Sequence, residues 1–235
     1  MTWPPCGLDS CPVPEPVASL LTALRTTDWN EVGRYYRTLQ SSHPADQLVA
    51  GSGDTRFAPI AGESHVYLGR TATVTLLEVV FRDTANSAMY RASLDGWCTA
   101  PVALRRPVTL IDLRDEELDR QGIARDALVA TDSQHYPCTR AWASALHEHQ
   151  MNGMPSPDGI VWHSRQGDLY KRRHRGGVLG DLLTHANVEV AVVWSPPAAR
   201  SLLLADGEPS DLRDASGEPS QLVVELANLL QYPIL

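Results

Sequence analysis

The segment Thr71-Ala-Thr-Val-Thr-Leu-Leu-Glu-Val-Val-Phe81 reads as a helix that is apolar on almost every side. Val74, Leu77 and Phe81 share one face, and Leu76 and Val80 share another. A helix of this kind needs packed layers around it, so the chain must build a sizeable core. With 235 residues it can do so. A chain of that size removes roughly 70% of its unfolded surface from water and needs no metal or disulfide staple. The 43% hydrophobic and 20% charged residues are those of a globular protein, while 17 Pro and 16 Gly predict long irregular connections.

Around this helix the remaining pattern is mixed. Strands are predicted at Arg34–Leu39, His65–Gly69, Val108–Leu113, Gly159–His163 and Val188–Trp194. Helices are predicted at Val17–Leu24, Asp115–Gln121, Thr139–Gln150 and Leu222–Leu230. The polar segment from Gln40 to Gly62 reads as a long loop, and such loops are often functional. Strands and helices alternate without the regular spacing of a doubly wound sheet, which favours a compact α+β domain. Residues 1–29 read as an arm and a helix, 30–200 as the domain, and 201–235 as an acidic linker with a terminal helix. Gly-Glu-Pro-Ser occurs at 207–210 and again at 217–220, too short a copy for a structural repeat.

A formal charge of -8 argues against direct nucleic-acid binding, because phosphate contacts need clustered cations. The longest apolar runs fall short of the ~20 residues a membrane span needs, and the N-terminus lacks a basic region and an apolar one. These features predict a cytoplasmic protein with no membrane contact. Cys6, Cys11, Cys98 and Cys138 are read as free thiols, since no matching Cys-x-x-Cys or His pair follows Cys6 and Cys11. His147 and His149, two apart on a helix, point in different directions and make no zinc pair.

Glu78 is the one ionisable residue between Arg70 and Arg82, and an ionised carboxylate among apolar groups needs a cation or several donors. It is either a structural ion-pair partner of Arg70 or Arg82, or a catalytic acid. Arg56, in Gly51-Ser-Gly-Asp-Thr-Arg-Phe57, is either a phosphate clamp on a glycine-bearing loop or a solvated cation beside Asp54. Tyr67 lies central in a strand and is core or site. Ser164 ends a strand, where sheets often place ligand contacts, but no Gly-x-Ser-x-Gly elbow surrounds it. The basic run Lys171-Arg-Arg-His-Arg-Gly-Gly177 is an anion or partner contact, or a solvated loop.

Taken in order, Tyr36-Arg37, Arg56-Phe57, Val66-Tyr67-Leu68, Leu77-Glu78-Val79, Thr109–Leu113, Trp142-Ala143 and Asp158–Arg165 resemble the RES domain family. Arg56, Tyr67 and Glu78 stand eleven residues apart in turn, as in that family's N-terminal motif, and the resemblance runs over about residues 30–200. One departure is Gly53-Asp-Thr-Arg-Phe57, where members often carry a Gly-Gly-Arg-Trp type loop.

The resemblance implies a fold similar to ADP-ribosyltransferase toxins and a toxin that degrades NAD+ by phosphorolysis or hydrolysis. It implies Arg56, Tyr67 and Glu78 as catalytic residues and Tyr36, Arg37 and Ser164 as substrate-binding ones. Arg37 and Arg56 would hold the diphosphate or an incoming phosphate, and Ser164 would donate to the nucleotide. NAD+ is then substrate, phosphate a possible co-substrate, and neither cofactor nor metal is required. A cognate antitoxin, Xre-type and itself DNA-binding, would be the partner, alone or in an oligomer. Transfer of ADP-ribose to a macromolecule, or nucleotide binding without turnover, uses the same residues.

Overall fold

Strand side chains point alternately to the two faces of a sheet, and here the alternation sorts the apolar residues into two cores. The computed structural model describes residues 3–30, 32–50, 54–81, 88–149, 156–167, 188–195 and 202–235. Its strands are β1 (Thr26–Trp29), β2 (Arg34–Gln40), β3 (Val49–Ala50), β4 (Ser64–Gly69), β5 (Trp97–Leu104), β6 (Val108–Asp112), β7 (Gly159–His163), β8 (Glu189–Ser195), β9 (Leu203–Ala205) and β10 (Ser210–Asp211). They form one mixed sheet in the order β1-β6-β7-β8-β4-β2-β5-β10, with β3 beside β4 and β9 beside β5. β6 and β7 run parallel, and the other described pairs are antiparallel.

Along β7 and β8, Ile160, Trp162, Val190, Val192 and Trp194 join one core, while Val161, Ala191 and Val193 join the other. The first core lies under α2 (Ala72–Val79), α5 (Tyr136–Glu148) and the C-terminal helix Gln221–Leu229. Val13, Leu21 and Leu24 of the N-terminal arm and its helix α1 (Ala18–Ala23) fill the same core. In the second core Trp29 of β1 stacks on Tyr35 of β2 with centroids 4.7 Å apart, although four strands lie between β1 and β2 in the sheet. The sheet therefore curls over and closes its second face on itself.

Helix α2 is set by local chemistry. Thr71 Oγ1 accepts the Val74 N–H at 3.2 Å and caps the first turn. Val74, Leu76 and Leu77 are fully buried, each worth about 2 kcal/mol of apolar burial. Gly69 lets the helix lie close on β4, since a Cβ there would stand 2.5 Å from Val74 Cγ1 and 2.7 Å from Thr75 Cγ2. Tyr232, beyond the C-terminal helix, stacks on Phe81 at 6.2 Å.

The predicted elements are present with shifted ends, and others join them. α5 starts at Tyr136 rather than Thr139, because Pro137 sits in the first turn, where its missing N–H costs nothing. β1 and β5 were not expected; β5 carries Pro101 in its interior, against ordinary strand preference. The expected acidic linker is tied down: β9 and β10 pair with β5, and Leu202, Leu203 and Leu212 are buried. α3 (Asp115–Arg120) and α4 (Arg125–Leu128) follow β6. Among the described residues no helix is long and apolar enough to cross a membrane.

Candidate functional site

Glu78 occupies the last turn of α2, and Ser164 is the first residue after β7. Ser164 continues the Ile160–Trp162 side of its strand, toward α2, and is fully buried. Its Oγ donates to Glu78 Oε1 and accepts the Gly167 N–H at 3.0 Å. The backbone is pinned as well, the Ser164 N–H donating to Val188 O at 2.8 Å. A serine has one hydroxyl proton, and here it goes to Glu78. Ser164 thus holds the Glu78 carboxylate in place.

The ion pair expected between Glu78 and Arg70 is absent. Arg70 follows Gly69 onto the other side of the sheet, where its Nε donates to Glu189 Oε2 at 2.9 Å. Its guanidinium lies 4.3 Å from the Trp29 ring centroid and 5.2 Å from that of Tyr35. Arg82, the other expected partner, falls outside the described residues. Among the described residues no guanidinium meets Glu78, which is half-buried.

Tyr67, central in β4, presents its ring edge-on to Trp162 at 6.0 Å. Thr55 Oγ1 gives its proton to Ala58 O at 2.6 Å, so the Tyr67 hydroxyl donates to Thr55 Oγ1 at 2.8 Å while accepting the Phe57 N–H at 3.2 Å. Buried Phe57 packs edge-on to Trp162 at 5.0 Å. These contacts turn Arg56 the other way. Its Nη1 donates to Thr131 Oγ1 at 2.5 Å and its Nη2 to Thr131 O at 2.9 Å, with the guanidinium 5.1 Å from the Tyr136 ring centroid. Asp54, expected beside Arg56, pairs instead with Arg140. The glycines of this loop, Gly51 and Gly53, are outside the described residues.

One site residue escaped the sequence reading. Arg165 Nη1 donates to the same Thr131 carbonyl at 3.3 Å and to Asp132 Oδ1 at 3.1 Å. Arg56 and Arg165 therefore stand side by side, and Arg165 directly follows the serine that holds Glu78. Nothing in its spacing marks it; only its place after Ser164 hints at a role.

Arg37 is not part of this cluster. It shares a side of β2 with Tyr35 and Leu39, facing away from α2, and is buried. Its Nη1 donates to Ala45 O at 2.8 Å and Gln47 O at 2.6 Å, and burial lowers its pKa to about 10. It closes the loop after β2. Tyr36 points to the α2 side, opposite Gly69 in register. The basic run 171–177 is outside the described residues.

The opposite side of the sheet holds a second polar group. Glu189 Oε1 accepts Arg114 Nη1 at 2.7 Å, and Arg114 Nη2 donates to Asp112 Oδ2 at 2.6 Å. Burial alone would raise the Asp112 carboxyl, but the Arg114 guanidinium and N–H hold it below its ordinary range.

All four cysteines are free thiols, as expected, but their surroundings differ from the sequence expectation. Cys6 and Cys11 do meet a second pair, the mixed pair His135 and Cys138, which only the folded arm brings to them. His147 and His149 part as expected, His147 toward Glu63 at 3.4 Å and His149 Nε2 toward Thr22 Oγ1 at 3.0 Å.

No curated protein matches the chain in sequence. In structure it is similar to a chain of the M. tuberculosis MbcT–MbcA toxin–antitoxin complex, with a TM-score of 0.56 and 17% identity over 92% of this chain and 98% of that one. At that identity the likeness speaks for the fold. Residues 32–178 match the RES domain model, more than half of the sequence, and with the α+β sheet and the Glu78–Ser164 pair in place the chain belongs to the RES domain family.

Proposed function

We propose that this protein is a toxin-type enzyme that breaks the nicotinamide–ribose bond of NAD+, by phosphorolysis in preference to hydrolysis. The observation that carries the reading is the Glu78 carboxylate, oriented by a buried serine and neutralised by no described cation. Bond cleavage builds positive charge on the ribose, and a fixed carboxylate stabilises it, by the logic that serves oxocarbenium-like states in glycosidases. Nicotinamide leaves as a neutral group and needs no proton.

Arg56 and Arg165 supply the anion side. Both donate to one carbonyl oxygen, so their guanidiniums stand close enough to share an anion, and a diphosphate or phosphate oxygen that draws them from that carbonyl gains two charge-assisted donors. With Arg37 on the far side of the sheet, Arg165 takes the role expected of it. A phosphate bound there attacks the ribose carbon as its bond to nicotinamide breaks, giving nicotinamide and ADP-ribose-1''-phosphate. Held and oriented, it outcompetes water through its effective concentration. The Tyr67 and Tyr36 rings, half-buried on the α2 side, offer apolar walls to nicotinamide or ribose.

The similar fold found in a toxin–antitoxin complex supports a protein antitoxin as partner, in the cytoplasm, where such an enzyme must be restrained. The test is product analysis by mass spectrometry, with the purified chain and NAD+, with and without added phosphate. Phosphate-dependent ADP-ribose-1''-phosphate is the expected result. ADP-ribose alone, at one rate in both conditions, assigns hydrolysis. Intact NAD+ in both removes the enzyme reading.

A further inference from the structure

The N-terminal arm, residues 3–14, has no helix or strand, yet it is held in place. Trp142 Nε1 donates to Pro14 O at 2.6 Å, and Val13 is buried in the first core. Ahead of these anchors the arm folds back so that both of its thiols face the start of α5. Cys6 Sγ lies 3.8 Å from His135 Nδ1, Cys11 Sγ lies 3.5 Å from Cys138 Sγ, and the Cys6 N–H donates to Cys138 Sγ at 3.4 Å. The ligand atoms of Cys6, Cys11 and His135 all lie within 4.8 Å of one another. His135 and Cys138 are buried, and all of the cysteines are free thiols.

We propose that Cys6, Cys11, His135 Nδ1 and Cys138 form a structural zinc site. Zinc bound at about 2.3 Å from sulfur and about 2.0 Å from nitrogen in a tetrahedron sets its ligands about 3.5–3.8 Å apart. The Cys6–His135 separation of 3.8 Å and the Cys11–Cys138 separation of 3.5 Å already match that spacing, and Cys138, beside Cys11 but outside the mutually close trio, joins as fourth ligand by a small side-chain shift. Three thiolates and an imidazole are soft and nitrogen donors in a closed set of four, which selects zinc over the oxygen-seeking cations. The surroundings suit a bound metal. The Gln134 side-chain amide lies 3.2 Å from His135 Nε2, and with its oxygen turned inward it accepts the proton that nitrogen carries when Nδ1 binds metal.

A disulfide uses only two of these four groups and leaves the histidine without purpose. The metal accounts for all four, at the release of the thiol protons. It also explains why an irregular arm is anchored at this point. Tyr136 under Arg56, Thr139 donating to the Arg56 carbonyl and Arg140 pairing with Asp54 all stand on the first two turns of α5, the turns that zinc would fix. The site is independent of which reaction the protein performs.

The test is metal analysis of the full chain, purified under reducing conditions and incubated with zinc alone. About one zinc per chain is expected, retained against a weak chelator, with cobalt in its place giving the spectrum of tetrahedral thiolate ligation. Cys6→Ser and Cys11→Ser, at half-buried positions, should lose most of the bound metal, while Cys98→Ser, buried away from the cluster among Leu39 and Ala100, should keep it. No zinc in the wild-type chain after incubation overturns the proposal. So does equal zinc in Cys6→Ser, Cys11→Ser and wild type, or a Cys11–Cys138 disulfide as the main species in freshly isolated protein.

Discussion

Glu78 and Glu189 are two carboxylates drawn into the same fold, on opposite sides of one sheet, and they are treated in opposite ways. Glu189 is 5% exposed and lies between two guanidiniums, Arg70 at 2.9 Å and Arg114 at 2.7 Å. Glu78 is half-buried and receives a neutral hydroxyl. A carboxylate between two cations has its charge cancelled before any ligand arrives. One held by a hydroxyl keeps its charge for what comes next. The comparison teaches that burial alone does not separate a structural carboxylate from a candidate site; the partners do.

The largest effect should come from the saturated side. Glu189→Ala leaves Arg70 and Arg114 facing each other in a site built to neutralise them, and breaking such a group costs about 3 kcal/mol. Both arginines keep some access to water, which holds the loss to the lower part of the usual range. Urea unfolding measures it. A stability loss within experimental error would show the network to be a surface feature and collapse the contrast.

Glu78→Gln is the mirror experiment. It keeps the shape and removes the charge, so turnover of NAD+ should fall ~100-fold or more, equivalent to about 2.7 kcal/mol of transition-state stabilisation. The urea midpoint should barely move, because no described cation loses its partner. Equal turnover in a folded Glu78→Gln protein would take the acid out of the chemistry.

How much of this contrast the residues announce differs by element. The alternating β2, the short apolar runs of β4, β6, β7 and β8 and the apolar α2 are local patterns and are read correctly. The choice between Tyr36 and Arg37 is not local. The pattern Arg34-Tyr-Tyr-Arg-Thr-Leu39 alternates polar and apolar groups on both sides, and only pairing with β4 and β5 decides which side meets α2. The same holds for Glu78, whose expected partner Arg70 sits one residue past a glycine and so faces away. Arg165 and the His135–Cys138 pair become visible only when residues distant in the chain converge.

The arginine pair gives a smaller effect. A lysine reaches the same carbonyl with a point charge but loses the planar fork, so Arg56→Lys should weaken NAD+ turnover about tenfold, or about 1.4 kcal/mol. Arg165→Lys should do less, as that side chain is more exposed and shared with Asp132. Because both donate to Thr131 O, the double variant should depart from additivity. Strict additivity in a double-mutant cycle would mean the two act on separate parts of the substrate.

Ser164→Ala should have the smallest effect, yet it separates the two ways of holding a carboxylate most directly. The change removes the donor to Glu78 and the acceptor of the Gly167 N–H together. On the structural side the buried N–H is left unpaired, so stability should fall by about 1 kcal/mol. On the chemical side Glu78 keeps its charge and loses its orientation, and turnover should drop several-fold, well short of the Glu78→Gln loss. KM should stay close to wild type while kcat falls, because the serine's proton is spent on the acid and not on the nucleotide. A raised KM with unchanged kcat would return Ser164 to the substrate-binding role and show that the bond to Glu78 opens when NAD+ arrives.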